Sequence, residues 1–212
     1  MEIVTRVNRQ QLVTAALDLI DEEGGEALSM RALAKRVDRQ VSSLYNHVAS
    51  RGDLIEAVRA RIVEDIDTGA FGAEAWDAAL GAWARSYLAA FAAHPNVIGL
   101  LATTPIRDAS TLQMYDRVIA ALLAAGWPVG DAVAVMRTIE AHVLGSALDI
   151  VAPADLLEQS SVPAEHAAMR AALDPELGDA FGAARAFEVG LAAILAGLRD
   201  RHTATRVGAA ID

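Results

Sequence analysis

Gln40, Ser42, Ser43, Tyr45, Asn46 and His47 stand close together in a stretch that carries no carboxylate of its own. Their side chains are short or flat and polar, so they can approach base edges and phosphates without repelling a polyanion. The chain on either side has to position them. Ser29 can cap a helix by accepting an N–H that the first turn leaves unpaired, and Ala32, Leu33 and Val37 then recur on one face. At Asp38 the backbone has to turn left-handed, which Gly tolerates best and Asp or Asn next best. A second helix from Val41 or Ser42 to Val48 directs Leu44 and Val48, four apart, inward and leaves the polar set outward. Two short helices joined in this way read as a helix-turn-helix.

Charge bears on this reading. The 212 residues carry a formal net charge of −10, which argues against a polyanionic partner unless the acids lie elsewhere. They do: residues 1 to 60 hold eight Arg/Lys against nine acids, and residues 61 to 212 hold ten against nineteen. From Ser29 to Arg51 there are five basic side chains and one acid. A local basic face attracts phosphate whatever the total. Apolar residues make up 54% of the chain, enough for a sizeable core. Most are Ala, Leu, Val and Ile with few Pro, which favours an all-α protein. Without Cys there is no disulfide, thiolate catalyst or Cys-based zinc site. Neither an export signal nor an apolar run long enough to span a membrane is evident, so a cytoplasmic location is expected.

Three helices are expected to share the small core behind the motif. Asn8 can cap the first, with Gln11 three residues on; Leu12, Ala15, Ala16, Leu19 and Ile20 form its stripe, and Gly24-Gly25 ends it. A fourth helix starts at Ser50, paired with Asp53, and runs through Leu54, Ile55, Val58 and Ile62 to about Asp67. It is long enough to connect two units. The expected division is therefore a helix-turn-helix domain at 1–50, a connecting helix at 51–67 and a larger helical domain at 68–212. Within the last, helices are expected at Trp76 to Ala93, Asn96 to Ala102, Asp108 or Ser110 to Gly126, Val129 to Ala152, Ala164 to Leu173 and Phe181 to His202. Pro153 to Pro163 reads as a polar loop. Val129 to Ala152 is apolar on more than one face and is expected to be buried nearly all round.

Leu44-Tyr45-Asn46-His47-Val48 after a Ser pair, Ala32-Leu-Ala-Lys-Arg36 upstream and Arg51-Gly-Asp-Leu-Ile55 downstream resemble the TetR family of bacterial repressors. Ala186 to Leu198 is similar to the last helix of its tetracycline-repressor branch. The resemblance implies that Arg31 reads a guanine, that Val41, Ser42, Ser43, Tyr45, Asn46 and His47, with Gln40, lie at the groove, and that Arg51 meets a phosphate. Asp38 and Arg39 depart from the family pattern, which has Gly and a buried aliphatic residue at these places. The resemblance also implies a homodimer formed by the helices at 129–152 and 181–202, with Gly190 and Gly197 easing their approach. Two heads about 34–36 Å apart then fit a palindromic double-stranded DNA operator.

A small-molecule effector is the remaining expectation. Trp83, Tyr87, Thr103, Thr104, Met114, Arg137, Glu140 and His142 are the side chains that could line its cavity. Plain packing is the alternative for Trp83 and Tyr87, a local ion pair for Arg137 with Glu140, and a hydrogen-bonded core or interface role for His142. In the tetracycline branch a histidine before a Thr-Arg-Pro turn binds drug-chelated magnesium; here Leu100-Leu-Ala-Thr-Thr-Pro105 offers no such ligand. A mostly apolar organic effector is expected, with no metal and no cofactor. No HExxH, phosphate-cradling glycine loop or paired His spacing argues for an enzyme. The rival reading is an all-helical small-molecule-binding protein without specific DNA recognition.

Overall fold

The computed structural model describes residues 8–153 and 156–208. Ten α-helices and no β-strand occur among them, with Phe71 and Glu74 forming an isolated bridge. The head comprises α1 (Arg9–Glu23), α2 (Met30–Arg36) and α3 (Val41–Leu44). α1 begins with the full capping box: the Asn8 side chain accepts from the Gln11 amide, and Gln11 Oε1 accepts from the Asn8 amide. Gly24, at φ +88°, ends it. Ser29 caps α2 through the Ala32 amide. Leu12, Ala16, Ile20, Leu28, Leu33, Leu44 and Val48 fill the space between the three helices and are each at most 2% exposed.

Asp38 takes φ +51°, the sole non-glycine residue with positive φ among those described. Its N–H bonds to the Lys35 carbonyl and the Arg39 N–H to the Ala34 carbonyl, at 3.3 and 2.9 Å. This pair of bonds is the Schellman closure of a helix, with the left-handed residue carried by Asp. α3 proper is shorter than the pattern suggested. After Leu44 the backbone tightens: Asn46 and His47 donate three residues back and Val48 donates four back, to Leu44. Val48 still reaches the core.

α4 (Arg51–Val63) leaves the head, and a turn with Gly72 at φ +87° leads to α5 (Trp76–Ala92). α6 (Ile98–Ala102), α7 (Ala109–Ala124) and α8 (Val129–Ile150) follow, then α9 (Ala167–Ala172) and α10 (Ala183–Gly208). α5, α8 and α10 pack together around Trp83, Ala84, Ile139, Val143 and Leu191, all fully buried. α4 packs on α1, α7, α5 and α6, so one apolar core continues from head to body. A second tie joins the two: His94 Nδ1 lies 2.8 Å from Asp21 Oδ2, and the Asn96 side-chain amide donates to the Asp21 carbonyl.

α8 departs from the expected all-round burial. Ala132, Val135, Met136, Ile139, Val143 and Ala147 are buried, but Val129, Val133 and Leu148 are 78%, 49% and 49% exposed. Val189 on α10 is exposed as well. The two glycines of α10 also differ. A Cβ on Gly190 would stand 2.4 Å from Cε1 of His142, so this glycine serves packing inside the subunit, whereas a Cβ on Gly197 would meet nothing within 4 Å.

Candidate nucleic-acid interface and ligand cavity

Around the turn, Arg31, Gln40, Ser42, Tyr45, Asn46 and Arg51 are exposed, and Val41, Ser43 and His47 are half-buried. They differ in what already holds them. Val41 packs against the core. Ser43 Oγ donates to the Gln40 carbonyl, and Arg51 Nε donates to the Leu28 carbonyl, which fixes the start of α4 against the entry to α2. Tyr45, 51% exposed, is the large ring that stands out from this surface. Basic groups flank it on α2, where Arg36 forms a two-point ion pair with Glu22. The guanidinium holds the Glu22 carboxyl below its usual pKa through that hydrogen bond.

In the body, a cavity of about 700 Å³ opens between α4, α5, α6, α7 and α8. Of the eight side chains expected at an effector site, Tyr87, Thr104, Arg137 and Glu140 line it. The other four lie elsewhere, for identifiable reasons. Trp83 is fully buried in the core beside Phe71 and Tyr87. Met114 is buried in the same core on the inner face of α7. Thr103 is exposed and its hydroxyl is turned back onto the Leu100 carbonyl. His142 stacks on Phe187, with Nε2 2.9 Å from the Phe187 carbonyl, and so joins α8 to α10.

Glu140 organises the cavity floor. Tyr87 donates its hydroxyl to Glu140 Oε1 at 2.9 Å, and the Tyr115 hydroxyl donates to the same oxygen. Burial raises the Tyr87 hydroxyl well above its usual pKa and the carboxylate adds to the rise; Tyr115 is raised by the same two causes. Both phenols therefore stay neutral and remain donors.

Arg59 forms the wall towards the head. It is 6% exposed, and its Nε donates to Glu56 Oε1 at 3.0 Å while Nη2 donates to the carbonyls of Leu101 and Thr104. Glu56 Oε2 accepts from the Arg107 and Asp108 amides at 2.6 and 2.9 Å. Two side chains of α4 thus grip the 101–108 segment at four backbone points. Sequence reasoning named neither, yet a signal was present. Ile55, Val58 and Ile62 set the buried face of α4, and Arg59, four after Ile55 and three before Ile62, occupies a position on that face.

Two family models match the chain: bacterial regulatory proteins of the TetR family over residues 12–58, and the tetracyclin repressor-like C-terminal domain over residues 68–202. The tetracycline repressor protein class A from transposon 1721 of Escherichia coli is 30% identical over 209 residues, covering 96% of this chain and 95% of that protein. Among solved structures, a possible TetR family transcriptional regulator from Streptomyces coelicolor A3(2) superposes with a TM-score of 0.75 at 30% identity, covering 91% of this chain and 99% of that one. The TetR family protein ActR of Streptomyces coelicolor, in complex with (S)-DNPA, superposes with a TM-score of 0.75 at 26% identity, covering 93% and 99%. With its helix-turn-helix head, its cavity-bearing helical body and these matches, the chain belongs to the TetR family of bacterial regulatory proteins and is a ligand-responsive, DNA-binding transcriptional regulator.

Proposed function

We propose that the protein is a homodimeric repressor that leaves a palindromic operator when a small, mostly apolar organic molecule enters the 700 Å³ cavity. The observation that carries this reading is the grip of Glu56 and Arg59 on the 101–108 segment, because it joins the cavity wall to the helix that bears the head. A ligand pressing on Leu101 and Thr104 shifts those carbonyls, and Arg59 follows them. α4 then moves, the spacing of the two heads changes, and they no longer match successive major grooves. The effector must favour the displaced state.

In this reading residues 1–50 bind DNA, 51–67 connect, and 68–212 bind effector and dimerise. The protein then acts in the cytoplasm, where its operator is. Arg31, Gln40, Ser42, Tyr45, Asn46 and His47 read the groove, with Val41 and Ser43 shaping the surface and Arg51 at the phosphates. Exposed Val129 and Leu148 on α8 and Val189 on α10, the helix that also carries the open Gly197, are the apolar surface that a second copy buries.

The test is a gel shift against the DNA upstream of the protein's own gene, at two salt concentrations with random-sequence competitor. A discrete complex that survives competitor is expected, and binding that is lost equally to any DNA overturns the reading. Arg31→Ala should cost about 1–3 kcal/mol and relax preference at one base pair, while Arg51→Ala weakens all sequences alike.

A further inference from the structure

The cavity floor holds a carboxylate whose partners are two phenols. Glu140 is partly buried, its Oε1 accepts both tyrosine hydroxyls, and Oε2 accepts no hydrogen bond from the described residues. Among the described residues no cation forms an ion pair with it, although Arg59 and Arg137 line the same cavity. The guanidinium of Arg59 is engaged by Glu56 and by two carbonyls. Arg137, three residues before Glu140 on α8, is exposed and forms no ion pair among the described residues. A partly buried carboxylate whose hydrogen-bond partners are all neutral has no counter-charge beside it, and a cation brought to it gains a charge-assisted hydrogen bond. The surroundings suit one kind of cation. The Tyr87 and Phe91 rings, with centroids 4.9 Å apart, offer aromatic faces beside the carboxylate, and Ile119, Met136 and Leu144 add apolar wall. Each phenol oxygen, while donating to Glu140, keeps lone pairs that can accept a further hydrogen bond. Three acceptors and aromatic faces thus converge, the combination that holds a protonated amine.

Taking the regulator reading as its basis, we infer that the effector is an organic cation whose protonated amine sits against Glu140, Tyr87 and Tyr115. The apolar body fills the rest of the cavity. Its reach to Leu101 and Thr104 brings it against the segment that Arg59 and Glu56 hold.

Three tricyclic probes of one shape test this on the full chain without DNA: 9-(aminomethyl)anthracene as the cation, 9-anthracenemethanol as the neutral molecule and 9-anthracenecarboxylate as the anion. Titration calorimetry should rank the cation at least roughly tenfold tighter than either of the others, and Glu140→Gln should erase that preference while leaving the weaker two unchanged. Glu165→Gln, an exposed carboxylate outside the cavity lining, should keep the ranking. Tighter binding of the anion, equal binding of all three, no binding of any, or a ranking that survives Glu140→Gln each overturns the inference. Because the wild-type ranking stands apart from any variant's fold, a poorly folded Glu140→Gln protein leaves a decisive measurement. Operator gel shifts on the same preparations separate the two readings. A specific DNA complex without cation preference removes only the cation, and cation preference without a specific complex removes the regulator mechanism.

Discussion

The head and the body deal with polar side chains in opposite ways. In the head, the buried positions are apolar and the groups available to DNA stand outside, on the Ser29 to Arg51 segment. In the body, Arg59, Tyr87 and the partly buried Glu140 sit inside, and each bonds a partner distant in the chain. The head therefore keeps its polar groups at the surface. Its surface can change in sequence at little cost to the fold, because surface side chains take their hydrogen bonds from water. The body is the opposite: its interior polar groups have few alternatives, so whatever displaces one partner is felt by the others. In the proposed mechanism, a cavity whose wall and floor are made of such groups converts occupancy into movement.

That contrast can be broken most forcefully at Arg59. Replacing it with Met takes the donor from Glu56 Oε1 and from two backbone carbonyls and leaves a largely buried carboxylate without its cation, and a loss of about 3–5 kcal/mol is expected in denaturant unfolding, with release from DNA no longer following ligand. An equal loss from Arg31→Ala, which lies on the head surface, would remove the distinction between the two regions. Gly190→Ala comes next. Its methyl would be driven into the His142 ring, and a cost of about 1–3 kcal/mol is expected, partly restored by adding His142→Ala. Gly197→Ala meets no neighbour and serves as the comparison within one helix.

Alkaline titration sharpens the contrast more gently. Tyr87 and Tyr115 have hydroxyls raised above the usual 10.0, so their contribution to stability is whole below pH 10 and is lost as the pH climbs through and beyond that value, where the unfolded chain gives up protons that the folded one retains. Absorbance near 295 nm should show two of the three tyrosines resisting ionisation until the protein unfolds. Full ionisation of all three at pH 10 in a folded protein would contradict the Glu140 network. The smallest effect belongs to the head: Asp38→Gly relieves a left-handed residue and should stabilise by about 1 kcal/mol, read as a rise of about 2–4 °C in Tm.

Much of the head was legible because its determinants are local. Ser29, the Asn8–Gln11 pair and the left-handed Asp38 act within a few residues of themselves, and the inward Leu44 and Val48 follow from a four-residue spacing. The early end of α3 was not legible, since periodicity cannot separate an α-turn from the tighter one that Asn46 and His47 adopt. In the body, apolar spacing revealed the helices but not which polar residue faces which. Tyr87 and Glu140 were visible as candidates, yet Tyr115 completes their network from a helix 25 residues before Glu140. Trp83 could be seen to be packed inside, but not whether its inner side met a cavity or Phe71.

Helical class, the turn, the caps and the carboxylate-free outward face at 40–47 were thus determined by the sequence itself, through interactions that close over three to five residues. Tertiary structure alone decided that Gly190 makes room for His142 while Gly197 lies open, that His94 ties the body to Asp21 of the head, and that Arg59 reaches the carbonyls of Leu101 and Thr104. Those contacts join residues 42 to 73 positions apart, or helices whose mutual rotation no single helix specifies; only the packed core fixes them.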